Sequence, residues 1–187
     1  MKERFELDPA HTLIGFSVKH LAITTIRGSF GKFEGVFEGD RVTLQELHGE
    51  LRIDAASIHT AEAERDEHLR SADFFETEKY PYITYRLTGV EGNGNATHYL
   101  VTGDLTIKQT TRPLILSVVV EGELDHGTKP GTKIVSISAT GELNRMDYGL
   151  TWDGLAGTVP LVGRQIKINI DTELVATPFQ AEVPAQA

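Results

Sequence analysis

The stretch 165-QIKINIDTEL-174 decides the fold class of this chain. Its apolar residues alternate with polar or charged ones, and those that share a face are Ile166, Ile168, Ile170 and Leu174. Successive side chains of a β-strand point to opposite faces, so this spacing predicts a strand with one buried side and one side in water.

The same alternation recurs along most of the chain. In 48-HGELRIDA-55, for example, Leu51 and Ile53 share one face. Asn93-Gly94 favours a tight hairpin, because both central residues of a type I′ turn need positive φ. Strands joined by such turns are antiparallel. We predict eight of them, at 13–20, 27–38, 46–55, 82–91, 97–108, 113–124, 133–143 and 164–175.

Glycines fall inside or near many of these strand patterns. Such glycines mark bulges and sharp coiling, which favours closure of the eight strands into an antiparallel β-barrel without free edges. An eight-stranded barrel either fills with its own side chains or holds one small ligand. Because glycines remove side-chain volume, we expect an apolar interior that is not completely filled.

One stretch, 60-TAEAERDEHLRSA-72, is typical of a short polar helix. Thr60 is the expected N-cap, and Asp66 and Arg70 have the spacing of an i,i+4 ion pair. The helix has too few apolar residues to lie across a core, so we expect it to cap one end of the barrel. Phe74 and Phe75 would then point into the barrel mouth or its wall.

Composition limits the classes of function. The 187 residues include no cysteine and carry a formal net charge of −9, which argues against disulfides, thiolate metal sites and nucleic-acid binding. No apolar run is long enough for stable membrane insertion. No signal peptide is visible, so the chain as given is expected in the cytoplasm, or in the periplasm or outside the cell if a leader has been removed.

Motifs for catalysis or metal binding are scarce. The seven histidines are scattered, and no spacing predicts a metal site. Arg65, Asp66 and Arg70, like Arg145 and Asp147, fit either local ion pairs or contacts to a polar head group. An enzyme with Asp66 and His68 as acid–base groups is one alternative function, and a filled barrel that binds a protein partner is another.

Five stretches of the sequence together resemble the YceI-like family of lipid- and polyisoprenoid-binding proteins. They follow the family order over nearly the whole chain, with Arg164-Gln165 in place of a more acidic pair. The matching stretches are 5-FELDPAHTLIGFSVKHLAITTIRGSFGKFEG-35, 53-IDAASIHTAEAERDEHLRSADFFETEKYPYITY-85, 101-VTGDLTIKQTTRPLIL-116, 139-ATGELNRMDYGL-150 and 159-VPLVGRQIKINIDTEL-174.

The resemblance implies an extended lipocalin-like barrel, which we expect over residues 1–176. The remaining residues, 177–187, are rich in alanine, proline and glutamine, which predicts a flexible tail. The resemblance also implies a homodimer that binds a polyisoprenoid or similar long-chain lipid, such as a prenyl quinone, for transport, storage or sequestration, with no other cofactor. We expect the head group at His20, Arg65, His68 and Arg145. The expected apolar lining is Phe16, Val18, Phe30, Phe33, Phe37, Leu51, Ile53, Phe74, Phe75, Ile83, Tyr85, Leu105, Leu116, Val118, Ile166 and Ile168.

Overall fold

The computed structural model describes residues 2–40, 46–92, 94 and 97–179. This part of the chain contains one α-helix, α1 (Ala63–Arg70), and two short 3₁₀ helices, Ala55–Ser57 and Arg145–Tyr148. Its strands are β1 (Glu3–His20), β2 (Thr24–Phe30), β3 (Phe33–Gly39), β4 (His48–Asp54), β5 (Ile58–His59), β6 (Tyr82–Gly92), β7 (His98–Ile107), β8 (Thr110–Asp125), β9 (Lys133–Asn144), β10 (Leu155–Ala156), β11 (Val159–Pro160) and β12 (Val162–Pro178).

Eight strands form a closed antiparallel barrel, which confirms the predicted fold. Their order is β12, β9, β8, β7, β6, β4, β3 and β1, and β1 pairs with β12 to close the ring. The closing seam runs from Glu3 opposite Pro178 to His20 opposite Val162. Because the ring is closed, neither β1 nor β12 is an edge strand, and β2 and β5 extend the sheet beyond the ring.

The predicted strand 27–38 is wrong as a single element. The chain breaks at Gly31 and Lys32, where Gly31 N–H donates to the Ser57 carbonyl and Asp54 N–H donates to the Lys32 carbonyl. The first part, β2, pairs with the C-terminal half of β1 and with the short β5, whereas β3 enters the barrel beside the first residues of β1. Both β2 and β3 therefore pair with β1, at different parts of its length.

The strand β1 begins ten residues earlier than the predicted segment 13–20. Its register with β12 shifts between Leu7 and Thr12, so the alternation is interrupted there. The Asp8 carboxylate accepts from Ala10 N–H, and the Thr12 hydroxyl donates to the Asp8 carbonyl. These local hydrogen bonds stabilise a bulge. The bulge interrupts the alternation of apolar and polar residues, which explains why the sequence pattern predicts a strand only from Leu13 onward.

The helix α1 forms where it was predicted, but its side-chain contacts differ. The N-cap is Glu62, whose carboxylate accepts from Glu64 N–H, rather than Thr60. The expected pair between Asp66 and Arg70 is also wrong. Arg70 donates to backbone carbonyls that precede the helix, and Asp66 turns back toward Thr60, so the helix is fixed to the segment before it.

The two ends of the barrel differ in how they are filled. At the end where β1 begins, Phe5, Val135 and Ala176 form a buried cluster that Phe37 and Leu174 also contact. Phe5 and Phe37 lie opposite each other on β1 and β3. We call this the packed end; the end where β1 finishes, which α1 covers, is the open end.

Four of the strand glycines do not create empty space, because side chains cover them. A Cβ on Gly103 would lie 2.4 Å from the Tyr85 ring, and one on Gly28 would lie 2.4 Å from the Phe16 ring. Gly35 and Gly141 are similarly covered by leucines. At these positions glycine lets a large neighbour lie flat on the strand, so the open interior needs another explanation.

Some sequence predictions fall at the limits of the described residues. Strands β6 and β7 pair as a hairpin, but Asn93 of the predicted turn lies outside the described residues. Strand β12 continues through Pro178, and residues 180–187 of the predicted tail are likewise outside. In the described ranges, no helix has both the length and the apolar character that crossing a bilayer requires.

Candidate functional site

A cavity of about 570 Å³ occupies the open end of the barrel. Its volume lies within the range of roughly 300–1,000 Å³ that is usual for small-molecule sites. Side chains from β1, β4, β6, β7, β8, β9 and β12 surround it, together with α1 and the segment that follows the second 3₁₀ helix. Most of the lining is aliphatic or aromatic, so the site suits an apolar ligand.

Most residues of the predicted lining do surround this cavity. They come from eight separate stretches of sequence that the barrel brings together, and alternate positions of each strand face inward. Those at the cavity wall are Phe16, Val18, Phe30, Leu51, Ile53, Phe74, Phe75, Ile83, Tyr85, Leu105, Leu116, Ile166 and Ile168.

Three predicted lining residues lie elsewhere. Phe37 packs with Phe5 at the packed end, and Val118 is buried in the main core below the cavity. Phe33 borders a shallow polar depression beside Arg52 and Tyr82. Phe37 and Val118 lie at strand positions whose side chains face the barrel interior. The prediction therefore identified their face correctly but not their position along the barrel axis.

Two groups of aromatic side chains shape the wall near α1. Phe30 contacts both Phe16, at a ring-centroid distance of 5.7 Å, and Phe75, at 6.1 Å. Trp152 meets Phe74 at 5.4 Å and His68 at 4.9 Å. Phe74 and Phe75 therefore enter the barrel wall, as predicted from their position after the helix.

Several cavity residues were not singled out from the sequence. Ile170 and Leu114 are two residues away from Ile168 and Leu116, which were predicted to line the cavity, and point to the same face. The alternation could therefore have identified them. Trp152 lies in an insertion between β9 and β12, where no periodic pattern indicates its direction. The other missed lining residues with large apolar side chains are Ile14, Ile26, Ile58, Leu69, Ile107, Leu143, Leu150, Leu161 and Val162.

Polar side chains are concentrated where the cavity meets solvent. Lys19 and Glu64 line the cavity and are exposed, so the opening lies between the end of β1 and the helix. His20, Arg65 and His68 lie along the same opening. All four residues that were predicted to meet a head group, including Arg145, border the cavity.

Arg145 differs from the other three in its surroundings. Its side chain is 1% exposed and donates to the carbonyls of Leu150, Trp152, Val162 and Gly163. Burial lowers the pKa of its guanidinium, whereas the Asp153 carboxylate, 3.8 Å away, opposes that change. Its donors are occupied by backbone, so it positions the 150–163 segment at the cavity wall.

Arg65 and His68 also have partners within the chain. Arg65 donates from Nε to the Thr60 hydroxyl at 2.7 Å and from Nη2 to the Thr60 carbonyl at 2.8 Å. His68 Nε2 lies 2.8 Å from an Asp73 carboxylate oxygen. Both side chains are half-buried, so they remain accessible from the cavity while their orientations are fixed.

The geometry does not form the acid–base pair of the enzyme alternative. Asp66 is 5% exposed and is not part of the cavity wall; its carboxylate accepts from Thr60 N–H, from the Thr60 hydroxyl and from His59. Burial by itself raises the pKa of Asp66, but these hydrogen bonds outweigh burial and hold the pKa below its ordinary value. Asp66 therefore anchors α1 while His68 faces the cavity.

One cluster of ligand-type side chains lies away from the cavity. His11 Nδ1 is 2.9 Å from an Asp8 carboxylate oxygen and 3.6 Å from one of Glu173. The hydrogen bond with Asp8, together with the charges of Glu173 and Asp8, raises the pKa of the exposed His11. The cluster lies at the β1 bulge, where ion pairing accounts for its arrangement.

The open cavity also excludes the filled-barrel alternative. A protein-interaction module of that kind requires an interior occupied by the chain's own side chains, whereas about 570 Å³ is free here. The packed end meets that description, but the open end does not.

Comparison with protein families and curated proteins gives a consistent assignment. The YceI-like domain model matches residues 5–174. A UPF0312 protein of Photorhabdus laumondii is 36% identical over 151 residues, covering 80% of this chain and 76% of that protein. A UPF0312 protein of Staphylococcus aureus is 32% identical over 170 residues, covering 90% of this chain and 95% of that protein.

Solved structures show the same barrel. The YceI protein of Campylobacter jejuni has a TM-score of 0.69 and 27% identity, covering 83% of this chain and 87% of that one. BcnA of Burkholderia cenocepacia has a TM-score of 0.75 and 22% identity, covering 91% and 99%. A polyisoprenoid-binding domain of Saccharophagus degradans has a TM-score of 0.62 and 16% identity, covering 93% and 98%.

Proposed function

Because the chain belongs to the YceI-like family, we propose that it binds a long-chain amphiphilic lipid of the polyisoprenoid type inside the barrel. The apolar cavity of about 570 Å³ carries this proposal. A ligand's hydrocarbon tail would lie among residues such as Leu116 and Ile168, with its polar head at the opening beside Lys19 and His68.

Burial of the tail supplies the driving force. Each buried methylene contributes about 0.8 kcal/mol, so a tail of about ten carbons contributes roughly 8 kcal/mol before the costs of ordering are subtracted. An apolar tube separates chains of similar shape weakly, so we expect broad selectivity for the tail. The prenyl tail of a quinone fits the same description.

Selection of the head group would fall to the polar residues at the opening. His20, Arg65 and His68 border the cavity there. The Lys19 ammonium instead donates to the Thr25 hydroxyl on the outer face. Arg145, whose donors are occupied by carbonyls, is assigned a positioning role instead. A head group that accepts hydrogen bonds would match these donors.

The fold comparison supports the same class of ligand. The Saccharophagus degradans domain, which has a similar barrel, is described as binding a polyisoprenoid. At 16% identity this likeness concerns the fold, and the cavity residues of the present chain carry the assignment of an apolar ligand. Binding without covalent chemistry would serve transport, storage or sequestration.

Native mass spectrometry of gently purified protein tests the proposal directly. We expect a co-purified lipid, and we expect the delipidated protein to take up a prenyl probe such as geranylgeraniol. Ile168→Trp should abolish uptake, because the larger ring projects into the cavity from β12. Asn169→Trp is the matched control, since this neighbour is exposed and is not part of the cavity wall.

The control makes the outcome interpretable. If folded Ile168→Trp protein binds the probe as tightly as Asn169→Trp protein does, the cavity is not the binding site. Failure of the delipidated wild-type chain to bind any prenyl alcohol or quinone would refute the proposed ligand class.

A further inference from the structure

A group of exposed apolar side chains borders the opening of the cavity. The β1–β2 turn and the β10–β11 hairpin adjoin there, since Leu21 N–H donates to the Leu161 carbonyl at 3.2 Å. Ile23 on the turn is 78% exposed, and on the hairpin Leu155 is 63% and Val159 39% exposed. We call Ile23, Leu155 and Val159 the apolar rim. Leu155 pairs with Pro160 and Val159 pairs with Ala156, so these two side chains extend from opposite faces of the hairpin. Exposed apolar side chains that border one opening favour an interaction site there.

The apolar rim is continuous with the cavity wall. Lys19 and His20, which precede the turn, line the cavity, as do Leu161 and Val162, which follow the hairpin. Leu161 N–H also donates to the Gly154 carbonyl at 2.8 Å and so fixes the base of the hairpin. A surface that covers the rim would therefore meet the cavity opening.

The strands that carry the rim are positively charged on their outer face. Residues 9–33 and 154–170 contain no aspartate or glutamate, although the whole chain has a net charge of −9. Ser17 lies opposite Arg27 on β2 and opposite Lys167 on β12, so these two cations share one outward row. We call Lys19, Arg27, Arg164 and Lys167 the basic face; all four are exposed, and Arg164 lies in the register shift of β12 between Val162 and Ile166.

Acidic groups near the basic face leave part of it unneutralised. Lys167 is 3.7 Å from Glu142, and Asp153 faces the buried Arg145. Within the described part of the chain, Arg27 and Arg164 form no ion pair. On the other side of the opening, Glu62 at the N-cap and Glu64 and Glu67 on α1 are exposed. Arg65 and Arg70 on the same helix are half-buried and donate to backbone carbonyls.

We infer that the apolar rim and the basic face dock on an anionic lipid bilayer. The basic face is complementary to acidic phospholipid head groups, and the rim side chains can enter the interfacial layer beneath them. At physiological salt the Debye length is about 8 Å, so acidic residues on distant surfaces repel the bilayer only weakly. The acidic helix orients the opening so that the β1–β2–β12 side contacts the lipid.

The charge pattern favours a bilayer over a second copy of this chain. A two-fold symmetric contact through this surface would place the basic face against itself. Docking at a surface is also distinct from membrane insertion, because only a few side chains leave water. Transfer of a lipid between bilayer and cavity would rest on the proposed function, whereas docking itself requires no occupied cavity.

Vesicle flotation of the full chain tests this inference. Vesicles of phosphatidylcholine with about 30 mol% phosphatidylserine should bind the protein, and pure phosphatidylcholine should not. Raising the salt from about 0.1 M to about 0.5 M should release it. Arg27→Glu/Arg164→Glu should weaken binding at least about tenfold, because two cations become anions at the basic face.

Matched variants separate this surface from general charge and hydrophobicity. Lys2→Glu/Lys129→Glu makes the same change in net charge away from the opening and should leave binding within about twofold of wild type. Ile23→Ser should reduce binding, whereas Ile115→Ser, which replaces a residue 57% exposed on the outer face of β8, should not. Equal binding by the two charge variants, or equal binding to neutral vesicles, would overturn the inference.

Two further measurements distinguish bilayer docking from the proposed binding of a lipid in the cavity. If sedimentation shows a dimer that Ile23→Ser dissociates, the apolar rim is a subunit interface and bilayer docking is wrong. If the protein carries lipid in native mass spectrometry but does not float with anionic vesicles, only the docking inference fails. Vesicle binding by a chain that takes up no prenyl probe would refute only the proposed ligand.

Discussion

The packed end and the open end of the barrel are built from the same long strands, yet one is filled and the other is hollow. At the packed end, Phe5 on β1 faces Phe37 on β3, and Val135 and Ala176 complete the cluster. At the open end, the inward side chains of β12, such as Ile166 and Ile168, border a cavity and are only half-buried.

The difference lies in which strands accompany β1 along its length. Near the packed end β1 pairs with β3, which continues around the barrel to β4. Near the open end it pairs instead with β2, which leads to the short β5 and then to α1. The helix contributes few apolar side chains, so it covers the interior at this end without filling it. The buried residues of the cavity wall, such as Leu51 and Leu116, belong to the main hydrophobic core. We therefore expect substitutions at the packed end to affect mainly stability, and substitutions of half-buried cavity residues such as Phe16 to affect mainly binding.

The largest expected effect comes from emptying the packed end. Phe5 is 6% exposed, and Phe5→Ala should lower the free energy of unfolding by about 3–5 kcal/mol. Phe16 at the open end is half-buried, and Phe16→Ala should cost about 1 kcal/mol of stability but weaken prenyl binding. Guanidinium unfolding and probe titration of both variants measure the two quantities.

The contrast between these variants tests the division of the barrel. If Phe16→Ala destabilises the fold as much as Phe5→Ala does, the half-buried Phe16 contributes to the stabilising core as much as the packed end does. If folded Phe5→Ala protein loses probe affinity as strongly as Phe16→Ala protein does, binding is not confined to the open end.

A second prediction concerns the residue that positions the wall of the open end. Arg145→Ala removes the donors to the carbonyls of Leu150, Trp152, Val162 and Gly163. We expect a loss of about 3 kcal/mol in the free energy of unfolding and weaker probe binding. Arg112→Ala is the control, because the exposed Arg112 donates to a single carbonyl, that of Asp147.

A further variant, Arg145→Lys, tests whether position 145 acts through its charge or through its set of hydrogen-bond donors. Arg145→Lys keeps the charge but lacks the planar set of donors, so it should recover only part of the stability. Full recovery of both properties by lysine would show that charge, rather than the set of carbonyl contacts, is what position 145 supplies.

The sequence determined the faces of the barrel strands but not the positions of residues along the barrel axis. Alternation identifies Phe37 and Val118 as inward-facing as surely as it identifies Leu116 and Ile168. Which level of the barrel each occupies depends on strand register, and register depends on partners that are distant in sequence. Those distant partners place Phe37 at the packed end and Ile168 at the cavity.

Local irregularities limited the prediction of element boundaries. The bulge at Asp8 interrupts the pattern of β1, and the break at Gly31 and Lys32 lies within a segment whose alternation resembles one strand. Both depend on hydrogen bonds that the sequence does not display. The size of the cavity could not be predicted either, because several of the strand glycines that suggest empty space, such as Gly103 beneath the Tyr85 ring, are covered by side chains.

The buried roles of charged residues were the least predictable part of the site. From its spacing Asp66 was expected to pair with Arg70 on the same helix. In the fold its carboxylate accepts from Thr60 and His59, which precede the helix. Arg145 similarly finds its partners in β12 and the preceding loop. Tertiary contacts of this kind override the local spacing rule.

The smallest expected effect tests how α1 is held over the open end. At neutral pH Asp66→Asn should lower the free energy of unfolding by about 1–2 kcal/mol, since it weakens hydrogen bonds to a charged acceptor. The pKa of Asp66 is held below its ordinary value of 3.8 in the folded chain. Its contribution is therefore complete above that value and is lost as the pH falls through the lower, folded pKa.

Urea unfolding of wild type and Asp66→Asn across the acid range measures this contribution. The difference in stability between them should be constant near neutrality and should shrink as the pH falls below about 4. Asp73→Asn is the matched control, because Asp73 is exposed and contacts His68 at the surface of the same segment. A stability difference for Asp66→Asn that does not change with pH would show that the buried carboxylate does not hold the helix through its charge.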